Sequence, residues 1–402
     1  MAAPLQSLVI PCYDEPTLLP CLASLRNCHP PPLPVEVIVV VNAPAGAPKE
    51  IIDTNRRTYE EALEWIGKNS IPWLHFDVLN FPGMPPKNAG AGLARKTGMD
   101  LALHRFEEWG QPDGIISSLD ADTLVDRNYL NNIQQLFIDY PACNACNVFF
   151  EHPVHGDAFP PEVYRAIIQY ELHLRYYVQS LRFAGFPYAF HTIGSCFSVR
   201  TSAYARQGGM NKRKAGEDFY FLHKLMPLGG FFELNSTCVY PSPRPSHRVP
   251  FGTGPFISKY IINKEQEWQT YHLDAFRDLK IFFDKTGLFY HAGHPVIRKV
   301  CESLPCSIRE FLSGQVTEKL VEINRNSTSP VTFRKRFFAW FNAFKVLKFL
   351  NFAHEHYYSR IPVSRAVGEL TGLRQDHQQK INDPLDLLLQ LRKLQREQEY
   401  RI

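Results

Sequence analysis

Two carboxylates one residue apart, Asp120 and Asp122, close the run Ile115-Ile116-Ser117-Ser118-Leu119-Asp120-Ala121-Asp122-Thr123. A short apolar run followed by acids at i and i+2 reads as a buried strand ending in a charged loop. In extended chain alternate side chains share a face, so both carboxylates turn toward one point. Hard oxygen donors this sparse suit Mg²⁺ or Mn²⁺, with the other coordination positions left to water and phosphate. A solvated acidic turn carries the same spacing, so the pair gains meaning only from its neighbours. A second pair, Glu217-Asp218, opens a helical pattern at Ala215-Gly216-Glu217-Asp218-Phe219-Tyr220-Phe221. Acids at a helix start favour the helix dipole, which is sufficient reason for this pair taken alone.

The elements that must position these acids alternate along the first half of the chain. Ser7-Leu8-Val9-Ile10-Pro11-Cys12-Tyr13-Asp14-Glu15-Pro16 is a short apolar strand broken by proline, and Thr17 to Asn27 follows as a helix. Val35 to Asn42 is a second strand, β-branched almost throughout, as expected when both faces of a parallel sheet are covered. A charged helix from Pro48 to Lys68, a strand from Trp73 to Leu79 and a helix from Ala89 to Trp109 lead to the strand that delivers Asp120. This βαβα series predicts a mostly parallel sheet with helices on both faces, whose ligands bind beyond the carboxyl ends of the strands. Pro11 to Glu15, Asn42, Asn80 and Asp120 fall at those ends. Further strands are expected at Cys146 to Phe150, Ile193 to Arg200 and Phe231 to Tyr240, with an aromatic helix from Glu162 to Phe183. A proline- and glycine-punctuated loop, Pro241 to Gly254, is long enough to carry function. From Ile257 onward the pattern is almost entirely helical.

In this order the strand with Pro11-Cys12-Tyr13-Asp14-Glu15, the Asp120-Ala121-Asp122 turn and Gly216-Glu217-Asp218 resemble the nucleotide-sugar glycosyltransferases of the GT-A fold, particularly family 2 and its relatives. The resemblance covers roughly the first 255 residues. It implies an α/β, Rossmann-like domain over 1–255 and a helical C-terminal extension over 256–402. It assigns Asp122 to direct coordination of Mn²⁺ or Mg²⁺, and Asp120 to the nucleotide ribose or the metal's water shell. His247 is the natural third ligand. The nucleotide of the donor is expected against Pro11, Tyr13 and Glu15, with Asn42 where family members usually carry an Asp that reads the base. Lys87-Asn88-Ala89-Gly90-Ala91-Gly92-Leu93-Ala94-Arg95 matches the segment near the diphosphate. Its small residues allow close backbone approach, and Lys87 and Arg95 add charge. Helix packing explains Gly90 and Gly92 equally well. Arg248, with Arg244 and Gly252-Thr253-Gly254, is placed to fold over the donor. Asp218 takes the position of the catalytic base, with Glu217 holding acceptor or base.

The implied function is metal-dependent transfer of a hexose from a nucleotide-sugar donor to an acceptor hydroxyl, with inversion if Asp218 is the base. The acceptor (glycan, lipid or small molecule) is not readable. Retaining relatives share the metal site without a committed base. A sugar nucleotidyltransferase or a non-catalytic nucleotide-sugar binding protein stand as alternatives, although the glycine-rich, Arg-containing loop of the former is missing after the first strand.

Composition agrees with a folded domain of this size: 402 residues, 45% hydrophobic and 21% charged. A net charge of +4 is too mild to indicate nucleic-acid binding but tolerates an anionic substrate or membrane surface. The N-terminus has no basic region, so no signal peptide is expected, and no run of about eighteen apolar residues suggests a membrane span. The Gln-x-x-Arg-Trp motif of processive, membrane-spanning relatives is missing too. Nine cysteines scattered through apolar segments suggest reduced thiols and a cytoplasmic protein. Cys143-Asn144-Ala145-Cys146 lacks the second pair a zinc site needs and reads as strand. The segment 334–349 combines five cations with six aromatics. It is either a peripheral contact with the inner face of a membrane or a core-facing helix with snorkelling cations.

Overall fold

From Val35 to Val41 every residue but Glu36 is β-branched, and each side chain through Ala43 is buried. Such a strand needs cover on both faces, and the fold supplies it. The computed structural model describes residues 4–246, 248, 252–264, 267–314, 316–372 and 383–402. Its chain opens as β1 (Gln6–Cys12), α1 (Leu18–Arg26), β2 (Val35–Pro44), α2 (Lys49–Asn69), β3 (Leu74–Met84), α3 (Ala91–Glu108) and β4 (Ile115–Ser118). It continues as β5 (Leu124–Val125), α4 (Tyr129–Asp139), β6 (Ala145–Phe150), α5 (Pro161–Phe183), β7 (Phe197–Arg200), α6 (Thr201–Arg206), α7 (Glu217–Leu225), β8 (Phe231–Tyr240) and α8 (Thr253–Ile262).

The eight strands form one sheet in the order β3-β2-β1-β4-β7-β6-β8-β5. β3, β2, β1 and β4 are mutually parallel, and β6 is parallel to β8. β7 runs antiparallel between β4 and β6, and β5 runs antiparallel on β8. Two reversals therefore bring β6 and β8 back to the direction of β1 to β4. The result is a Rossmann-like, mostly parallel sheet of the GT-A type, followed by an extensive helical extension. The expected strand at Ile193 to Arg200 is shorter, because Ile193 to Cys196 forms a turn closed by the Cys196 N–H donating to the Ile193 carbonyl at 3.0 Å. The third strand runs on to Met84, beyond the expected Leu79.

The chain packs as two units: the described residues of 1–167, 190–263 and 392–402 form the first, and those of 168–189 and 264–391 the second. The 255/256 boundary read from the sequence lies inside α8. In the first unit the C-terminal segment returns to β8, where the backbones of Ile402 and Phe231 exchange hydrogen bonds of 3.0 and 3.2 Å. The second unit is helical around an aromatic core. Phe282 lies 5.4 Å from Phe337 and 5.1 Å from Phe341, and Phe283 lies 5.2 Å from Phe338, ring centre to ring centre. The 334–349 segment breaks at Asn342, whose side chain accepts from the Lys345 N–H and starts a new helix. Phe337, Phe338, Phe341 and Phe349 point inward, while the Lys345 ammonium lies 4.0 Å from the Trp340 ring centre. Among the described residues, no helix is long and apolar enough to cross a membrane.

Helix α3 sits directly on the parallel strands because Gly98 lets it. A Cβ at that position would lie 2.4 Å from Val9 Cγ1 and 3.1 Å from Val40 Cγ2, both on buried strands that cannot give way. Gly98→Ala is expected to destabilise the protein by about 1–3 kcal/mol through overpacking, read as a lowered denaturant midpoint. An unchanged midpoint would show that α3 is free to move off the sheet.

Candidate active site

Strand direction gathers the chemistry. β1, β4 and β8 end at Cys12, Ser118 and Tyr240, and all three carboxyl ends lie along the same edge of the sheet. Ser118 pairs with Val9, and the Leu119 N–H donates to the Val9 carbonyl at 3.1 Å. Asp120 therefore leaves the sheet just past the residues of β1 that pair with β4. This is the ligand-binding edge of a doubly wound sheet.

Arg95 organises one half of the site. It is 4% exposed, on the sheet-facing side of α3. Its guanidinium pairs with Asp120 after β4 and with Glu217 at the start of α7, and its Nε donates to Ser118 Oγ at 3.1 Å. A Cβ on Gly194 would lie 2.5 Å from Arg95 Nη2, so only glycine fits beside the guanidinium. The N-terminus of α3 is likewise pressed against the segment preceding α7: a Cβ on Gly92 would lie 2.1 Å from the Arg213 carbonyl oxygen, and one on Gly90 3.1 Å from Lys214 Cα. Both glycines thus serve backbone approach within the protein. Gly216, at φ 68°, adopts the left-handed conformation that starts α7 and aims the acid pair.

Asp218 is half-buried, and its Oδ1 accepts from the Phe219 N–H at 2.7 Å. Burial, and then the charge of Glu217, push its carboxyl well above the usual carboxylate range, with Arg95 pulling the other way. Such a group exchanges a proton nearer neutrality than an exposed aspartate does.

The other half is a square of opposite charges. Glu15, 2% exposed, pairs with Arg244, whose Nη1 lies 3.0 Å from Glu15 Oε1. Arg244 also donates to Asp122 Oδ2 at 3.0 Å. Arg248 donates to Glu15 Oε2 at 3.1 Å and to the Tyr13 carbonyl at 2.8 Å, and approaches Asp122 Oδ2 at 3.9 Å. Burial alone would raise the Glu15 pKa, but hydrogen bonds from Arg244 and Thr17 outweigh it and the carboxyl stays below its ordinary value. At Asp122 burial wins: with Asp120 and Glu15 adding negative charge, its pKa rises to about 6 despite both arginines.

The β1–α1 loop is held from below by α2. Asn55 accepts from the Asp14 N–H at 2.9 Å and donates to the Asn42 carbonyl at 2.9 Å, which fixes Asp14 at a positive φ of 49°. Thr58 Oγ1 donates to the Glu15 carbonyl at 2.9 Å. Asn42 is itself 1% exposed with its side-chain oxygen unpaired, an acceptor at the end of β2. Pro11 and Tyr13 are half-buried at the end of β1, and Lys87 is exposed in the turn before α3. His247 lies outside the described residues. The structure thus brings together Glu15, Asp122 and Arg248, and separately Arg95, Asp120, Glu217 and Asp218. Arg244 was named in the sequence only as part of a closing loop. Its place between two acids carried no local signal, since both partners lie more than a hundred residues upstream.

The residues at this edge fit a divalent cation by their charge and donor chemistry. The carboxyls of Glu15, Asp120, Asp122, Glu217 and Asp218 outnumber the guanidinium groups of Arg95, Arg244 and Arg248 that pair with or face them. The raised Asp122 and Asp218 carboxyls reflect that surplus together with burial. Among the described residues, no three His, Cys, Asp or Glu side chains converge as a ready-made cage; one or two of these carboxylates would hold a cation, with other oxygens supplied by a ligand.

No protein-family model matches the chain, and no curated protein matches it in sequence. Among solved structures, it is similar to residues 1–349 of S. aureus TarS in complex with UDP-GlcNAc, at 12% identity and TM-score 0.40, covering 98% of this chain and 91% of that one. The same TarS fragment with UDP gives 12% identity and TM-score 0.41, over 88% and 93% of the two chains. Likeness at this level assigns neither substrate nor residue roles.

Removing the hub should be costly. Arg95→Gln leaves the buried Glu217 and the partly exposed Asp120 without their shared counter-charge, with an expected loss of about 3 kcal/mol in unfolding free energy, mostly from Glu217. A denaturant midpoint within error of wild type would show that the two acids find other partners.

Proposed function

We propose that this protein is a glycosyltransferase that moves a hexose from a nucleotide-sugar donor to an acceptor hydroxyl with inversion, Asp218 being the base. The observation that carries the reading is the gathering of the Asp120-Ala121-Asp122 turn and the Glu217-Asp218 pair at one sheet edge by a single buried arginine. The donor lies along the carboxyl ends of β1, β2 and β4. Its base rests near Tyr13, at the end of the sheet edge where Asn42 lies buried behind it. Its diphosphate faces Asp122 and the loop arginines, and Lys87 adds charge at the rim. Asp218 accepts the proton of the attacking hydroxyl as the glycosidic bond forms, and Glu217 fixes its position through Arg95. Asp122, with Asp120 and His247, would hold Mn²⁺ or Mg²⁺, which when bound would supply charge neutralisation for the departing diphosphate. Peripheral membrane contact through 334–349 and a cytoplasmic location belong to the same proposal.

Two experiments test it. Asp122→Asn and treatment with EDTA should each abolish release of nucleoside diphosphate from the donor, because a neutral amide is a poor ligand for a hard dication. Full turnover in EDTA removes the metal from the reading, and release of pyrophosphate instead would make the protein a nucleotidyltransferase.

Base catalysis by Asp218 predicts a pH signature. The base acts deprotonated, and its pKa is raised, so kcat should climb as pH rises above the usual carboxylate value of about 4 toward neutrality. Glu217→Gln removes the neighbouring charge and should move this limb to lower pH. Asp218→Asn should cost at least about 10²-fold in kcat with donor affinity near normal. A variant with normal kcat and weakened donor binding would make Asp218 a binding residue.

A further inference from the structure

Arg244 and Arg248 both reach the same two carboxylates, Glu15 and Asp122, through side chains that are 25% and 28% exposed. Both arginines sit in the segment after β8. Ser242 Oγ accepts from the Arg244 N–H at 3.3 Å, and Ser246 Oγ accepts from the Arg248 N–H and Nε at 3.3 and 3.2 Å. Ser246 is packed on the start of α8, where a Cβ on Gly254 would lie 2.5 Å from Ser246 Cβ. The two forks are thus fixed by their own loop as well as by the acids opposite.

A guanidinium fork pairs best with an anion that offers two adjacent oxygens, and carboxylate and phosphate offer the same fork geometry. Two such forks facing two carboxylates in one cleft present the complement of two adjoining anionic centres. Resting on the donor assignment above, we infer that Arg244 and Arg248 are the diphosphate-binding pair of this cleft. Glu15 and Asp122 are their internal surrogate anions, displaced when a diphosphate arrives. The carboxylates keep the arginines oriented and paired in the empty cleft, and they compete with the ligand for them. If Asp122 turned to a cation, Arg244 and Arg248 would each lose one of their two carboxylate partners and keep Glu15, so the cation would favour diphosphate binding by positive coupling.

This competition has a sign that a purely metal-ligating Asp122 does not share. Losing a metal ligand can only weaken or leave unchanged the binding of a diphosphate; losing a competing anion strengthens it when no metal is present. The probe is inorganic pyrophosphate in EDTA, with affinity read by calorimetry on the full chain. Asp122→Asn should bind it at least about five-fold more tightly than wild type, the lower scale for coupling between two sites. Arg244→Gln and Arg248→Gln should each bind it at least about ten-fold more weakly, as expected when one charge-assisted fork is lost. Glu15→Gln is a second route to the same release, and it should tighten binding even if Asp122→Asn does not fold.

Orthophosphate, with one anionic centre, should gain less than pyrophosphate from either acid variant. Unchanged or weaker pyrophosphate binding in the folded acid variant, or unchanged binding in both arginine variants, overturns the inference. It falls alone if donor turnover persists while pyrophosphate affinity ignores these residues. The transferase reading falls alone if pyrophosphate binds as described and no nucleotide-sugar is consumed.

Discussion

One buried guanidinium sets the geometry of this protein's chemistry. Arg95 stands on α3 with its charge among Asp120, Glu217 and Ser118, which belong to the turn after β4, the start of α7 and the end of β4. A charge taken out of water is tolerated only where its partners are close and well aimed. Each of these three elements is therefore constrained by the other two, and the two acid motifs cannot drift apart. The glycines around it follow from the same constraint. Gly194 leaves room for the guanidinium, Gly98 lowers α3 onto the sheet, and Gly92 lets the start of α3 meet the segment before α7.

From that hub the electrostatics divide. On the Arg95 side, acids crowd one cation, and burial with like charge lifts Asp218 toward neutrality, which suits proton transfer. On the other side two arginines balance two acids, so Glu15 stays ionised in a buried position while Asp122 is poised at about 6. The contrast arises from counter-charge rather than from burial alone. In the proposed reaction, a site divided in this way would separate work on the acceptor proton from work on the leaving diphosphate.

The sequence revealed the first half of the sheet closely. The β-branched run of β2, the apolar run ending in Asp120 and the acids at the start of α7 are local signals, and each became the element its pattern implied. Less legible were the strands after β4. β5 is two residues long, too short for any alternation to register. β7 reverses direction in the middle of the sheet, a matter of pairing partners rather than of residue pattern. The cationic, aromatic segment 334–349 matched two descriptions. Packing turns Phe337, Phe338 and Phe341 inward toward Phe282 and Phe283 and breaks the helix at Asn342, while the membrane description stays a proposal.

By itself, the sequence determined the residue types available for chemistry and the strand ends that carry them, because backbone period and apolar runs are local properties. It named Asp120 and Asp122 on that basis, and Glu217 and Asp218 through the resemblance of their order in the chain. Only the tertiary structure decided which of these share a counter-charge. That Arg95 is an internal link, and that Arg244 meets both Glu15 and Asp122, depend on contacts spanning 25 to 229 positions of chain. Ion pairing at such separation leaves no periodicity to read; it exists only once parallel strands have brought their carboxyl ends to one edge.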